Sequence, residues 1–185
     1  MKRIHSIIYI VSLYLILVST AAFADKTVER RYLLANYGEF VLQAPESWRD
    51  EVRQPYGGMP PTIVFTSPKT SFQILLTPMF AAQQGMVMPS LPDIKANVAM
   101  AAEKALSQSV ETTIDVREIN EPSAKGYFFS ATDRAPTPGE YKYITQGMLR
   151  VGKLAPTFTI LTNDGEQSII EQALDMLAGA AHIEK

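Results

Sequence analysis

The sequence predicts an α+β fold in which a largely antiparallel β-sheet is packed with two main helices. The longest run of strand-forming residues, Tyr141–Thr162, has Gly152 and Lys153 at its centre, which is typical of a β-hairpin. Two segments, one after Ser90 and one near Asp164, place apolar residues at helical spacing. The resulting order is strands, helix, strands, helix, which favours an antiparallel sheet with helices packed against it.

Residues 1–24 are predicted to be a signal peptide. They contain the three parts of such a leader, namely a positive start, a short apolar core and a small-x-small cleavage site: Lys2 and Arg3, Ile7–Val18, and Ala22-Phe23-Ala24. The apolar core is shorter than the ~20 residues that a membrane-spanning helix needs. We therefore expect a periplasmic or secreted protein whose mature part, residues 25–185, is a single domain without a membrane span.

Composition excludes several classes of function. Without Lys2 and Arg3 the chain has 15 basic residues against 19 acidic ones, a net charge of −4, so nucleic-acid binding is not expected. The absence of cysteine excludes disulfides, a thiol nucleophile and thiolate metal sites. His182 is the only histidine after the leader, and we interpret it as a solvated residue near the end of the last helix. No catalytic residue, metal site or cofactor is therefore assigned.

Four strands are predicted in the N-terminal half: Thr27–Ala35, Glu39–Ala44, Thr62–Thr66 and Phe72–Thr77. Glu39–Ala44 alternates between apolar and polar residues, and Pro45 ends it. Arg53–Pro61 is rich in proline and glycine, and no strand is predicted between Pro45 and Thr62. The third and fourth strands are joined by a turn with Pro68 at its second position.

The first helix is predicted to begin at Ser90, because its hydroxyl can cap the first turn and Asp93 can complete a capping box. Its narrow apolar stripe is Ile94, Val98, Ala101, Ala102 and Ala105. Two further strands, Thr112–Ile119 and Gly126–Asp133, precede the hairpin. The last helix is predicted to begin near Asp164, because this carboxylate and that of Glu166 favour a helix start. Its stripe is Ile169, Ile170, Ala173, Leu174, Leu177 and Ala181.

The segment Phe40–Trp48 has the pattern F-x-L-x-x-P-x-x-W, which resembles the opening of the PsbP/Mog1-like group of small α/β domains. The resemblance implies an antiparallel sheet sandwiched by helices and a non-catalytic accessory or binding role. The segments Pro60–Phe65 and Ala131–Tyr143 also resemble a proteobacterial family of exported proteins to which no activity is assigned. Trp48, the only tryptophan, is interpreted as a core anchor in preference to a ligand platform.

Two irregular loops, Tyr56–Pro61 and Pro78–Pro89, are too apolar to be simple solvent-facing connections. We interpret them as a contact surface for another exported or envelope protein, formed by Tyr56, Met59, Met79, Phe80, Met86 and Met88. Thioether sulfur also suits Cu(I), so a methionine-rich copper site is the alternative.

A second group of candidate residues flanks the loop that precedes the hairpin: Asp133, Arg134, Glu140, Tyr141 and Lys142. If the flanking strands pair, these side chains lie at one end of the sheet. They suit an anionic or sugar ligand, and two carboxylates can in principle act as acid and base in a hydrolase. The preferred interpretation is an ion pair that pins the loop. The sequence thus predicts an exported, non-catalytic binding or accessory protein, and it leaves an enzymatic role open.

Overall fold

The computed structural model describes residues 26–55, 57–81 and 87–185, and within these ranges the chain forms two helices and ten strands. The helices are α1 (Leu91–Leu106) and α2 (Gln167–Ala178). The strands before α1 are β1 (Thr27–Leu33), β2 (Glu39–Pro45), β3 (Arg49–Arg53), β4 (Thr62–Thr66) and β5 (Gln73–Met79). The strands after α1 are β6 (Arg117–Asn120), β7 (Lys125–Thr132), β8 (Tyr143–Arg150), β9 (Ala155–Thr162) and β10 (Ala181–Ile183).

The strands form two sheets in which every pairing is antiparallel. One sheet has seven strands in the order β3-β4-β5-β9-β8-β7-β6, and the other has three strands in the order β1-β2-β10. The α+β class predicted from the sequence is therefore confirmed. None of the helices in the described ranges is long and apolar enough to cross a membrane.

The larger core lies between the two sheets and includes α2. Phe65, Phe128 and Phe158 of the seven-stranded sheet belong to it, together with Phe40 of β2 and Leu177 of α2. Alternation along each strand sends one set of side chains to this inner face and the other set to the outer face. Burial of these large side chains, each worth about 1.5–3 kcal/mol, supplies the main stabilisation of the fold.

The smaller core lies on the outer face of the seven-stranded sheet, beneath α1. Ile94, Val98 and Ala102 of α1 pack against Phe129 and Ala131 of β7. The helix contacts β7 and β8, and its alanines allow a close approach to the sheet. The two helices therefore lie on opposite faces of the seven-stranded sheet, which is the sandwich that the resemblance implies.

Several local predictions are confirmed. The strand Thr62–Thr66 has the predicted bounds, and the hairpin is formed by β8 and β9. Ser90 caps α1 in a capping box with Asp93, as the spacing predicts. Trp48 is 3% exposed and packs against Phe65 and Phe72, so its interpretation as a core anchor is also confirmed.

Other local predictions are wrong. β3 occupies a segment for which no strand was predicted. The sequence gives no signal for this strand, because all five of its residues are exposed and show no apolar alternation. The predicted strand Thr112–Ile119 is reduced to β6, which begins at Arg117. The last helix begins at Gln167, three residues after Asp164, and it ends at Ala178, so Ala181 is not part of it.

His182 lies in a strand and not at a fraying helix end. In β10 it pairs with Phe40 of β2, and the residue is half-buried. Its Nε2 lies 2.6 Å from the carbonyl oxygen of Tyr37, and its Nδ1 lies 3.2 Å from the backbone nitrogen of Lys153. The tautomer with hydrogen on Nε2 satisfies both contacts, because Nε2 then donates to the carbonyl and Nδ1 accepts from the amide. His182 is therefore a structural link between the end of the chain and the β8–β9 turn.

Candidate functional site

A cleft of about 500 Å³ opens at one end of the seven-stranded sheet, on its outer face. This volume lies within the range of small-molecule binding sites. The floor of the cleft is a row of four residues, one from each of four adjacent strands, which pair with one another across the sheet. The row consists of Ala131 of β7, Ile144 of β8, Leu161 of β9 and Gln73 of β5.

The cleft exists because α1 covers only part of the outer face. The helix contacts β7 and β8 and ends at Leu106. Ala105, Gln108 and Ser109 at its C-terminal end form one wall of the cleft, beside the row that continues over β9 and β5. The cleft is therefore formed where the helix ends and leaves the neighbouring strands uncovered.

A second wall, adjoining the first through the antiparallel pairing of Ser109 with Asp133, is the connection between β7 and β8. The backbone nitrogen of Asp133 donates to the carbonyl oxygen of Lys142 at 2.8 Å, which closes the base of this loop. Oδ1 of Asp133 accepts from the backbone nitrogen of Ala135 at 2.9 Å, and Glu140 N donates to Thr137 O at 2.9 Å. Gly139 adopts φ +92°, a conformation that favours glycine. These contacts hold the loop in one defined conformation.

Arg134 is used to fasten the two walls together. Its Nε and Nη2 donate to the carbonyl oxygen of Ser109 at 3.1 and 2.6 Å, and its backbone nitrogen donates to the carbonyl oxygen of Gln108 at 2.9 Å. A cation at the C-terminal end of α1 also has the favourable sign for the helix dipole. The sequence analysis assigned Arg134 to the ligand edge, and the structure places its guanidinium on the backbone that follows α1.

Lys142 lines the cleft, and its ammonium group is paired with Asp164. Its Nζ lies 2.9 and 3.1 Å from the two carboxylate oxygens of Asp164, and the hydroxyl of Tyr143 donates to the same carboxylate at 2.5 Å. The hydrogen bond to Asp164 raises the pKa of Lys142, and the hydrogen bonds from Tyr143 and Lys142 lower the pKa of Asp164. An ion pair therefore does pin this loop, through an acid that the sequence analysis had assigned to a helix start.

Glu111 lies behind the cleft and was not identified from the sequence. Its carboxylate accepts hydrogen bonds from the hydroxyl of Ser109, from Thr132 Oγ1 at 2.6 Å and from Thr132 N at 3.0 Å. Burial raises the pKa of Glu111, but these hydrogen bonds outweigh it and lower the pKa to about 2. The Ser109-x-Glu111 spacing is only a weak signal for a local hydrogen bond. Thr132, which donates two of the hydrogen bonds to Glu111, is remote in sequence.

The charged groups of the cleft that have no ion-pair partner among the described residues are carboxylates. Asp133 and Glu140 both line it, and neither forms an ion pair in the described ranges. The side chains of Tyr141, Gln73 and Gln108 line the same space, and the structure gives them no hydrogen-bond partner among the described residues. Four of the five predicted edge residues are thus brought together in one cleft, with Arg134 placed behind it.

Exposed apolar side chains lie where β5 ends, at the opposite end of this strand from the cleft. Met59 is 58% exposed and Met79 is 37% exposed, and Val87 is almost fully exposed. We call these three residues together with the half-buried Met88 the methionine end. Tyr56 and Met86, which were also predicted to lie on this surface, fall outside the described residues.

Phe80, which follows Met79 directly, is buried beside the methionine end. Its ring is 6% exposed and stacks on Tyr37 with the ring centroids 4.1 Å apart. The hydroxyl of Tyr37 donates to the carbonyl oxygen of Ala81 at 2.7 Å. The structure therefore places Phe80 inside the molecule and not on the predicted contact surface.

A metal role has no further support at either end. The described ranges contain no group of three or more histidine, aspartate or glutamate residues that could hold a metal ion. Copper binding by methionine sulfur stays a prediction, since Met86 is not among the described residues.

Comparison with protein-family models gave no match, and neither did comparison with curated proteins. Among solved structures, the chain is similar to cyanobacterial PsbP (CyanoP) from Synechocystis sp. PCC 6803, with 11% sequence identity and a TM-score of 0.46. The match covers 90% of this chain and 99% of that chain. The resemblance to a proteobacterial exported family stays a prediction. Similarity at this level carries no inference about activity or partners.

Proposed function

We propose that the protein is an exported, non-catalytic accessory protein that binds another exported or envelope protein through the methionine end. The observation that carries the proposal is the exposure of Met59, Met79 and Val87, which lie in the two apolar segments around β4 and β5. Exposed apolar side chains grouped at one end of a protein are typical of interaction surfaces. Methionine in particular adapts its flexible side chain to a partner.

The support beneath this surface strengthens the proposal. The stacked rings of Tyr37 and Phe80 and the hydrogen bond from Tyr37 to Ala81 hold the segment that follows β5 against the core. A fixed backbone with flexible exposed side chains loses less conformational entropy on binding than a mobile loop does. These contacts fix the backbone directly after Met79, whose exposed side chain stays free to adapt to a partner.

Partner capture tests the proposal. The tagged protein is isolated from the exported fraction as wild type, as the double variant Met59→Asp/Met79→Asp, and as Met100→Asp. Met100 is a matched control, because it is an apolar residue of the same type, 51% exposed, on α1. We expect one specific partner to be lost from the double variant and retained by Met100→Asp. Equal recovery from all three proteins contradicts the proposal.

Export is tested separately. The predicted leader, residues 1–24, should be absent from protein recovered outside the cytoplasm, so mass spectrometry of the mature protein is expected to give Asp25 as its first residue. An uncleaved chain in the membrane fraction would contradict this part of the proposal.

A carboxylate-dependent hydrolase is the second candidate, because Asp133 and Glu140 line one concave cleft. Acid–base catalysis requires two such groups within reach of one substrate. Glycosides and esters are the substrate classes to assay, with Glu140→Gln as the diagnostic variant. Turnover that is lost in Glu140→Gln and retained in Glu118→Gln, an exposed carboxylate of β6, supports an enzyme. Turnover that is absent, or equal in both variants, rejects it.

A further inference from the structure

The cleft has an unbalanced charge. Asp133 and Glu140 contribute two carboxylates, whereas both nearby cations are engaged elsewhere. The ammonium group of Lys142 is paired with Asp164, and the guanidinium of Arg134 donates to the carbonyl oxygen of Ser109. A concave site with uncompensated carboxylates attracts cations and repels anions. The anionic ligand considered from the sequence is therefore disfavoured.

The charges of Glu111 and Arg134 behind the cleft have opposite signs and offset each other, so Asp133 and Glu140 set the sign of the potential. Ser109 and Thr132 line the cleft, and both donate hydrogen bonds to the carboxylate of Glu111. Glu111 is ionised at neutral pH, and those bonds lower its pKa further, to about 2. Its oxygens are occupied by these donors, so Glu111 acts on a ligand only through its field.

The floor of the cleft favours an aliphatic ligand. Ala131, Ile144 and Leu161 make the floor largely apolar and Ala105 adds an apolar wall, while the two carboxylates lie on the loop side. Tyr141 lines the same space, and an aromatic ring attracts an ammonium group by about 0.5–1 kcal/mol at exposed sites. A ligand matches this distribution when its methylene groups lie on the apolar floor and its ammonium groups contact the two carboxylates. A neutral sugar makes no use of the excess charge.

We propose that the cleft between the end of α1 and the β7–β8 connection binds a small aliphatic amine with two or more ammonium groups, such as a polyamine. Asp133 and Glu140 are the residues that pair with the ammonium groups. Gln73 and Gln108 lie at the margins of the cleft and are available as hydrogen-bond partners. The inference does not depend on the methionine end, which lies at the other end of the sheet.

Calorimetric titration of the full mature protein tests the inference, with spermidine as the probe. Calcium chloride, inorganic phosphate and a neutral disaccharide are titrated in parallel. We expect spermidine to bind, to bind more weakly as ionic strength rises, and to bind about tenfold more weakly to Glu140→Gln and to Asp133→Asn, since each variant loses one charge-assisted contact. The amide oxygen introduced by Asp133→Asn can still accept from Ala135 N, so this variant preserves the loop turn.

Glu118→Gln serves as the matched control, since Glu118 is an exposed carboxylate on β6, outside the cleft. It is expected to bind spermidine as the wild type does. Absence of spermidine binding overturns the inference, as does equal binding by all variants. Tight binding of the disaccharide or of calcium, with loss in the same two variants and no preference for spermidine, also overturns it. Each outcome leaves partner capture at the methionine end unaffected, so the two proposals fail separately.

Discussion

The two ends of β5 have opposite character. The strand begins at Gln73 in the cleft and ends at Met79 in the methionine end, a span of about 20 Å for seven residues. At the cleft end, Lys142, Asp164 and Arg134 are tied by ion pairs and hydrogen bonds. At the methionine end, the exposed groups are apolar side chains, which form no directional contacts.

The difference matters for recognition. Polar groups that are held in place before a ligand arrives lose little entropy on binding, which suits a small ligand of fixed geometry. Methionine side chains that rearrange on contact suit a larger partner with an irregular surface. The seven-stranded sheet thus presents a preformed site at one end and an adaptable surface at the other, and each can be altered without the other.

The largest effect is expected from Gly147→Ala, which disturbs the sheet between the two ends. Gly147 lies buried in β8, and a Cβ at this position would lie 2.5 Å from the carbonyl oxygen of Tyr127 and 2.7 Å from Cβ of Phe128. Backbone on the neighbouring strand cannot move aside easily, so we expect a loss of about 3 kcal/mol in the free energy of unfolding. Urea denaturation measures it.

Gly179→Ala is the matched control for this change, because a Cβ there meets nothing closer than 3.5 Å and φ is −85°. It should unfold at nearly the wild-type urea concentration. Equal stability of the two variants would contradict the packing argument and would mean that the sheet adjusts at β8.

Arg134→Gln is expected to affect the cleft end alone. The variant loses the charge-assisted contacts to the carbonyl oxygen of Ser109, so we expect a loss of about 2 kcal/mol in the free energy of unfolding. Urea denaturation measures this loss, while partner capture should be unchanged. A loss of partner capture would show that the two ends are coupled.

Glu111→Gln is expected to have a smaller effect that depends on pH. The folded pKa of about 2 lies below the ordinary value of 4.5, so the ionised form stabilises the fold above pH 4.5 and this contribution is lost as pH falls from 4.5 towards 2. After allowance for solvent screening, we expect the variant to lose about 1 kcal/mol at neutral pH and less in acid. Urea denaturation at both pH values measures the difference, and a constant difference would contradict the pKa argument.

The smallest effect on stability is expected at the methionine end. Met59 is 58% exposed, so Met59→Asp should change the free energy of unfolding by no more than about 0.5 kcal/mol. Only partner capture should respond to it. A large loss of stability would indicate that Met59 packs against the fold, and its role as a free contact would then be wrong.

The fold was predictable from the sequence where the signals are local. The capping box at Ser90 and Asp93, the strand Thr62–Thr66 and the turn after Arg150 depend on neighbouring residues. β3 was missed because an exposed edge strand has no apolar alternation. β10 was missed because three residues become a strand only through their pairing with β2.

The candidate site was predictable only in part, for a similar reason. Asp133 and Glu140–Lys142 are close in sequence and were grouped from the hairpin alone. Gln73, Ser109 and Asp164 reach the same region through the strand order and the end of α1. That order depends on long-range packing, which sequence periodicity does not specify.

The pairing of β10 with β2 has a practical consequence for work with this protein. Ala181, His182 and Ile183 cover one edge of β2, and Gly38 approaches so closely that a Cβ there would lie 2.0 Å from the carbonyl oxygen of Ile183. Truncation before Ala181 would leave unpaired backbone amides and carbonyls along β2, which invite strand addition from a neighbouring molecule. Oligomers formed by a protein shortened in this way would then reflect the exposed edge of β2 and not the native assembly.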